Sequence, residues 1–437
     1  MMSRIIEYIK DKKILILGFG REGKSTYNYI RKHLPEKVLS IGDKNKPEID
    51  DSNVNIIYGD DYLKCLGDFD IVFKSPGIAF LQDNMYPETT EITCQTDMFL
   101  RFCEPTVVGI TGSKGKTTTL TLIYEMLKAG GVNTCLIGNI GVPVFEKADE
   151  GKDLVAVIEM SSHQLEFTTA SPHVAVIVNI YEEHLDHYKT GFKGYVGAKL
   201  NIALHQQKDD VLIYNPEQNL EGVVDWDKVV KGISAPVTFT DAKNDVFVNE
   251  LWNSTEHLKG EHNRQDIAYA LAAARVFGVS DEAAKLAIQN FGGIEHRMEY
   301  VGVVNGVTYY NDSIATIPTA VMGAVKAIGN VDTHIFGGLD RGIDYTDFIA
   351  FLKSNSVNNL IGLPETGHTI IEKLKKQGCT KNMICAKDMA DAVKSADECT
   401  QKGKSCLFSP AAASYNYYKN FEEKGKHYKS LIAELTK

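Results

Sequence analysis

Short apolar runs closed by glycine or aspartate recur along the chain and predict a succession of buried strands. In the first hundred residues these runs are KKILILGFG, KVLSIGD, NVNIIYGD and DIVFKSPG, with a helical pattern from Gly23 to His33 after the first. Apolar stretches that do not alternate, and that end at a turn before a helix, are the pattern of parallel strands in a doubly wound sheet. A break falls near Glu104–Pro105. Beyond it TVVGIT, a glycine-rich loop and a helix ending at Gly130–Gly131 open a second α/β unit, continued by LVAVIEMSS, VAVIVNI and DVLIYN. A small-residue helix over Ile267–Phe277 suits close packing. The pattern restarts around Arg297–Tyr300 with GVTYYNDS, THIFGGLD, NNLIGLPE, NMICAK and SCLFSP. The expected fold is α/β in three domains: Rossmann-like over residues 1–104, P-loop ATPase-like over 105–297, and Rossmann-like again over 298–437.

Composition narrows the function classes. A length of 437 residues accords with about three domains of ~150 residues each. Lys and Arg number 47 against 57 Asp and Glu, a net charge of −10, which argues against a nucleic-acid binder but leaves room for a local phosphate pocket. No apolar run approaches the ~18 residues that cross a bilayer. The opening MMSRIIEYIKDKK lacks the long apolar region of an export signal. The expectation is a cytoplasmic protein without membrane insertion. The eight cysteines contain no CxxC pair, so they read as reduced, mostly packed thiols rather than a zinc or disulfide framework.

The strongest local signal is Thr111-Gly112-Ser113-Lys114-Gly115-Lys116-Thr117-Thr118, between an apolar strand and a helix. Glycines let several backbone N–H groups turn inward, the helix N-terminus adds its positive dipole end, and Lys116 supplies a mobile cation for terminal phosphates. The Thr117 hydroxyl stands where it can ligate Mg²⁺. The general pattern GxxxxGK[ST] asks for glycine at position 110, which is isoleucine here. ATP is the expected ligand.

Gly18-Phe19-Gly20-Arg21-Glu22-Gly23 follows ILIL and opens a helix, with Asp43 at the end of the next strand. That arrangement fits a dinucleotide, whose ribose an acid would hold. It fits equally the diphosphate of a nucleotide-linked substrate, and the motif does not choose between them.

Taken in order, GxGxxG, Ser75-Pro76-Gly77, TGSKGKTT, Gly138-Asn139-Ile140-Gly141, Glu159-Met160-Ser161-Ser162 and Glu183-His184-Leu185-Asp186-His187-Tyr188 resemble the Mur ligases. These are ATP-dependent amide-forming enzymes of peptidoglycan precursor synthesis. Their phosphate loop has the form TGxxGKT[ST], which accounts for Ile110. Ala198-Lys199, His262-Asn263, His296-Arg297-Met298-Glu299, Asn311-Asp312-Ser313 and Ser409-Pro410-Ala411-Ala412-Ala413-Ser414, leading into Lys419-Asn420-Phe421-Glu422, resemble the branch that adds D-glutamate. The resemblance spans nearly the whole chain. It implies a monomer that joins glutamate to UDP-N-acetylmuramoyl-L-alanine through an acyl phosphate, with ATP, two Mg²⁺ sites and a lysine carbamate made from CO₂.

The resemblance also implies roles. Residues 1–104 would bind the UDP substrate, through Gly18, Phe19 and Gly20, Asp43 and Lys44 near uracil, and Ser75 and Asn139 along the diphosphate and sugar. Residues 105–297 would bind ATP through Gly112, Ser113, Lys114, Gly115, Lys116, Thr117 and Thr118, with Asn263, Arg297 and Asp312 on adenine, phosphates or ribose. Thr117 and Glu159 would hold one metal, and His184 and carbamylated Lys199 the second; Lys116, His184 and Lys199 would be catalytic. Residues 298–437 would take the amino acid through Thr316, Arg341, Ser414 and Phe421.

Simpler readings stand beside these. Glu159 reads as a solvated strand-end carboxylate, Lys199 from spacing alone as a helix-surface lysine, and Asp312 and Ser414 as helix N-caps. Three positions depart from the family pattern: Ile314 replaces a lysine, Asp266 an asparagine and His163 an aromatic residue. The loss of a cation at Ile314 keeps L-glutamate open as the amino acid. A dinucleotide-dependent oxidoreductase, resting on the N-terminal glycines, leaves TGSKGKTT unexplained, and a non-catalytic ATP module leaves Glu159, His184 and Lys199 unexplained.

Overall fold

The computed structural model describes residues 3–82, 85–138, 142–215, 236–255, 257–258, 261–414 and 417–435, and the statements below concern those residues. Contacts divide the chain into a unit over Met1–Phe291 and a second over Gly292–Lys437. The first unit holds two sheets. Strands β1 (Ile14–Leu17), β2 (Leu39–Asp43), β3 (Val54–Tyr58), β4 (Ile71–Lys74) and β5 (Glu91–Thr93) lie in the order β3-β2-β1-β4-β5, all parallel. Strands β6 (Thr106–Thr111), β7 (Thr134–Gly138), β8 (Val155–Glu159), β9 (Val174–Ile177), β10 (Val211–Tyr214) and β11 (Val237–Phe239) lie in the order β11-β10-β9-β6-β8-β7, again all parallel.

The second unit has one sheet, β12-β13-β17-β14-β15-β16, from β12 (Glu299–Val304), β13 (Val307–Asn311), β14 (Val331–Gly338), β15 (Asn359–Glu365), β16 (Asn382–Cys385) and β17 (Ser405–Phe408). Only β12 runs antiparallel, against β13. The two-residue turn Asn305-Gly306 has both φ values positive, at 52° and 83°, as the tight hairpin turns demand. Helices cover the parallel strands on both faces, and β1, β8 and β14 are buried along their whole length; burial on both faces accounts for the apolar runs of β1 and β8, whereas β14 buries Asp332, Thr333 and His334 among its apolar residues.

The parallel, doubly wound class is as the apolar runs predicted. Strands β5, β7, β11 and β12 carry no such run and were not legible in it; β12 is a half-exposed edge. The helix after β1 begins at Arg21 rather than Gly23, and the alanine-rich helix covers Glu261–Val276, starting six residues before the apolar pattern does.

In each sheet the chain winds away from a central strand in one direction and then in the other. The reversals fall beside β1 and β4, beside β6, β8 and β9, and beside β14 and β17. Crevices at the carboxyl ends of such strands are where open α/β sheets bind ligands. Gly18 and Ser75, the loop after Thr111, and Gly338 and Ser414 all lie at these ends.

Within the first unit a buried carboxylate ties the two sheets together. Asp97, on the helix Gln95–Phe102, is 1% exposed. Its Oδ1 accepts from the backbone N–H of Thr169 (2.7 Å) and from that residue's hydroxyl (3.0 Å), while Oδ2 accepts from Thr93 (2.9 Å) and Arg101 (3.1 Å). Removing a carboxylate that satisfies several donors leaves each of them buried and unpaired. Asp97→Ala is therefore expected to cost about 3 kcal/mol in urea-induced unfolding; a loss under about 1 kcal/mol would show that the network does not join the sheets.

Candidate active site

The loop after β6 is shaped by two glycines in the left-handed half of backbone space, Gly112 (φ 153°) and Gly115 (φ 81°). A Cβ on Gly112 would stand 2.9 Å from the Asn179 carbonyl, and one on Gly115 2.7 Å from the Asp266 carboxylate. Only glycine allows both approaches. The loop is pinned to the segment after β9. Ser113 N–H donates to the Asn179 carbonyl (2.8 Å), Lys114 N–H to the Asn179 side chain (2.8 Å), and the Asn179 amide back to the Lys114 carbonyl (2.8 Å). The Ser113 hydroxyl donates to the Tyr181 carbonyl (3.0 Å) and accepts from Tyr181 N–H (2.8 Å). The exposed Lys114 is ion-paired with Glu183.

The helix Lys116–Ala129 starts directly from Gly115, so its free N–H groups open onto this loop. The Lys116 amine reaches back to the Ser113 carbonyl at 2.8 Å. The Thr117 hydroxyl donates to Glu159 Oε2 at 2.9 Å. Thr118 is half-buried on the same first turn. Glu159 is 3% exposed, so it is not a solvated strand-end group. A hydroxyl and a carboxylate side by side at a phosphate loop are the hard-oxygen donors Mg²⁺ takes, with phosphate and water completing its shell. The residues present fit that ion.

Lys199 corrects the spacing-based reading: it is 2% exposed, on the helix Phe192–Leu204. Its amine donates to the Gly112 carbonyl at 2.8 Å and lies 4.7 Å from the centre of the Tyr195 ring. Burial, reinforced by the nearby Lys116 cation, brings its pKa down to about 7. An amine of this kind is largely uncharged at pH 8, the form that adds to CO₂.

His184 sits in the left-handed region (φ 54°), an uncommon conformation that clusters at functional sites. It is exposed, and its ring lies 5.0 Å from His163, which stacks on His187 at 3.8 Å. Burial, with the His187 and His184 rings beside it, lowers His163 to about 4, so the ring that replaces the family's aromatic residue is a neutral one. Behind it Glu166 takes the Lys74 amine at 3.2 Å and faces His187 at 3.3 Å. No single motif signalled this Lys74–Glu166–His187 arrangement.

At the first sheet Gly18 (φ 86°) lets the Ser75 hydroxyl donate to its carbonyl at 3.0 Å. The Asp43 carboxylate accepts from Phe19 N–H (2.8 Å) and Asn45 N–H (2.9 Å). Gly20 caps the following helix, and Lys44 is exposed at the rim. These residues gather at the β1–β4 crevice. Asn139 lies outside the described residues.

Asn263 is half-buried in the first turn of the helix Glu261–Val276. In the second unit, Asp312 is buried, its Oδ2 accepting from Ser409 (2.6 Å) and its Oδ1 from Met298 N–H (3.1 Å). Burial raises it to about 6. It is not an N-cap: the next helix, Pro318–Ile328, is preceded by Ile317. Arg297 is exposed. Thr316, Arg341, Ser414 and Phe421 belong to segments that meet at the carboxyl ends of β13, β14 and β17. Ala411 N–H donates to the Ala315 carbonyl, Leu339 bridges Ala413, and the Phe421 ring lies 5.9 Å from His296. Ile314 N–H donates to the His296 carbonyl at 3.2 Å. Arg341 is exposed. Ser414 is buried with its hydroxyl unpaired, and the helix Phe421–Glu434 is capped by Asn420 instead.

Comparison with known proteins finds relatives over the whole chain. The Mur ligase middle domain matches residues 110–294, and the Mur ligase glutamate ligase domain matches residues 296–412. The chain is 34% identical over 463 residues to a UDP-N-acetylmuramoylalanine–D-glutamate ligase of Clostridium acetobutylicum, covering 99% of each. It is 32% identical over 457 residues to the protein of that name from Clostridium botulinum Okra, again covering 99% of each. Among solved structures, Thermotoga maritima UDP-N-acetylmuramate-alanine ligase shares the fold at 15% identity and a TM-score of 0.53, over 97% of this chain and 99% of that one. Thermotoga maritima MurF in complex with ADP matches with the same identity and score over 97% and 96%.

Asp266 offers a test of the loop's packing. Its Oδ1 accepts from Thr119 (3.2 Å) and its Oδ2 is buried without a partner, so burial raises the carboxyl to about 7. The folded chain thus holds this proton more tightly than the unfolded chain, whose value is near ~4. The stability this contributes is present below pH ~4 and is lost as the pH rises to about 7. Asp266→Asn removes the titration. Between pH 4 and pH 8 the wild type should lose on the order of 3 kcal/mol more than the variant in urea unfolding. Parallel pH profiles would contradict the buried acid.

Proposed function

The chain belongs to the Mur ligase family, and from that premise we propose that it joins D-glutamate to UDP-N-acetylmuramoyl-L-alanine in the cytoplasm, with hydrolysis of ATP to ADP and phosphate. The observation that carries the reading is the convergence of Lys116, Thr117, Glu159 and Lys199 on one phosphate loop, in a chain alike from end to end to ligases of that name. The oxidoreductase reading of the N-terminal glycines falls away with it.

The chemistry follows from the groups present. A carboxylate has no leaving group, so one of its oxygens attacks the γ-phosphorus of ATP and ADP departs, giving an acyl phosphate. The glutamate amine then attacks the carbonyl carbon, loses a proton, and phosphate leaves from the tetrahedral adduct. Both partners in the first step are anions, so orientation and charge neutralisation dominate. The loop N–H groups of Gly112 to Thr118 hold the phosphates, and Lys116 follows the transferring group. Thr117 and Glu159 would be ligands of one Mg²⁺, which when bound would neutralise phosphate oxygens. His184 and Lys199 would hold the second, with Lys199 as a carbamate that would form when the neutral amine adds to CO₂ and a proton is released. Asn263 is a further ATP-binding residue of the first unit, and Arg297 and Asp312 are ATP-binding residues of the second.

Residues 1–104 hold the UDP substrate through Gly18, Phe19, Gly20, Asp43, Lys44, Ser75 and Asn139. Residues 105–297 hold ATP, and residues 298–437 hold the amino acid through Thr316, Arg341, Ser414 and Phe421. The protein acts as a monomer. L-glutamate remains a second reading because Ile314, whose N–H bonds the His296 carbonyl, places an apolar group where the family carries a cation.

Phosphate release from ATP with Mg²⁺ and UDP-N-acetylmuramoyl-L-alanine should require glutamate and favour the D enantiomer. Preference for the L form would keep the chemistry and change the ligase, and silence with both would overturn the assignment. Lys116→Met and Lys199→Ala should each lower kcat at least ~100-fold. Because the Lys199 amine titrates near about 7, bicarbonate activation of protein stripped of CO₂ should grow as the pH rises from 6 to 8; a response that weakens over that range would contradict the carbamate.

A further inference from the structure

The cavity at the carboxyl ends of β14 and β17 contains a charged residue that no motif singled out. Lys424 lies on the helix Phe421–Glu434, on the same stripe as the buried Tyr428 and Ile432. It is 2% exposed, and it lines the cavity with Gly338, Pro364, Met389, Ser414 and Tyr418. Its amine donates to the Gly337 carbonyl at 3.1 Å, and among the described residues no carboxylate pairs with it. Gly338 has φ 154° and lies beside the amine; a Cβ there would collide with the Ala413 carbonyl and stand 3.3 Å from Nζ. The Ser414 hydroxyl in the same wall is buried without a partner. Around this edge the backbone is held in rarely used conformations at Ala411 (φ 53°) and Glu365 (φ 65°), as happens where a fold maintains a site.

We propose that the Lys424 amine, with the Ser414 hydroxyl, receives the side-chain carboxylate of the incoming glutamate and is the main determinant of its selection. The proposal rests on the ligase reading above. The α-amine must face outward to the carbonyl it attacks, and the α-carboxylate sits beside it, so the far carboxylate enters the cavity first. At its floor it meets a lysine with unused N–H groups and a hydroxyl with an unused proton. Burial alone lowers the amine to about 7, since a cation is costly there without an anion; an arriving carboxylate supplies that anion. An uncharged side chain of the same shape would leave both groups unpaired, which is how a buried polar site rejects an isostere. The cation absent at Ile314 is thereby replaced from another element, with Arg341 exposed at the surface.

Steady-state kinetics on the full chain test this with glutamate and with glutamine, which has the same shape and no charge. Lys424→Met should raise KM for glutamate about 10-fold or more, with kcat and the KM values for ATP and the UDP substrate little changed. The preference for glutamate over glutamine should collapse, and Lys424→Arg should restore part of it. If Lys424→Met does not fold, Lys424→Arg and Ser414→Ala carry the same comparison through the glutamate-to-glutamine ratio. An unchanged ratio, or an equal fall in every constant, would overturn the role of Lys424 while the ligase reading stands. Wild-type protein that turns over neither enantiomer of glutamate would overturn the ligase reading and this proposal with it.

Discussion

The loop between Thr111 and Lys116 can close only because Gly112 and Gly115 carry no side chains, and the rest of the site is arranged around that closure. With Gly112 pressed against Asn179 and Gly115 against Asp266, the backbone turns its N–H groups inward and presents the Gly112 carbonyl to the Lys199 amine. The helix Lys116–Ala129 then begins at the height that brings Thr117 to Glu159 across β6 and β8. A Cβ at either glycine would push apart the groups that a phosphoryl transfer has to hold together.

A second constraint repeats in both units: lysine amines kept from water at the carboxyl ends of parallel strands. Lys199 and Lys424 are each 2% exposed, each bound to a glycine carbonyl, and each lowered to about 7. Such an amine is poised between two charge states. In the first unit its neutral form suits addition to CO₂, which would turn a cation into a metal-binding anion. In the second its charged form suits an arriving carboxylate. An ordinary lysine, solvated and always charged, would not add to CO₂.

Most of the fold was legible because parallel strands covered on both faces leave apolar runs, as at β1 and β9. Strands such as β5, with three residues, and β12, a half-exposed edge, leave no such trace. Thr117 and Glu159 meet as the loop motif and the strand-end acid implied. Lys199 was misread from spacing because periodicity along one helix does not report what another element lays over it; here the covering element is the phosphate loop. Asp312 and Ser414 were readable as caps because short polar residues after strands usually are, whereas Asp312 takes Ser409 from a segment far away in sequence and the Ser414 hydroxyl is buried without a partner. Lys424 did leave a signal, a lysine four residues before Tyr428 on an apolar stripe, but one cation on such a stripe more often reaches past it to water. Its amine is held by the Gly337 carbonyl at the end of a distant strand, and no local pattern encodes that.

The central claim is that the loop activates a carboxylate by phosphoryl transfer. It is tested most directly by supplying UDP-N-acetylmuramoyl-L-alanine labelled with ¹⁸O in the alanine carboxylate and weighing the phosphate released with ATP, Mg²⁺ and glutamate. The account predicts one labelled oxygen in each phosphate formed from doubly labelled substrate, carried over when the acyl phosphate is broken by the amine. Phosphate that carries no label would mean that ATP is cleaved without joining its phosphoryl group to the substrate, and would contradict it.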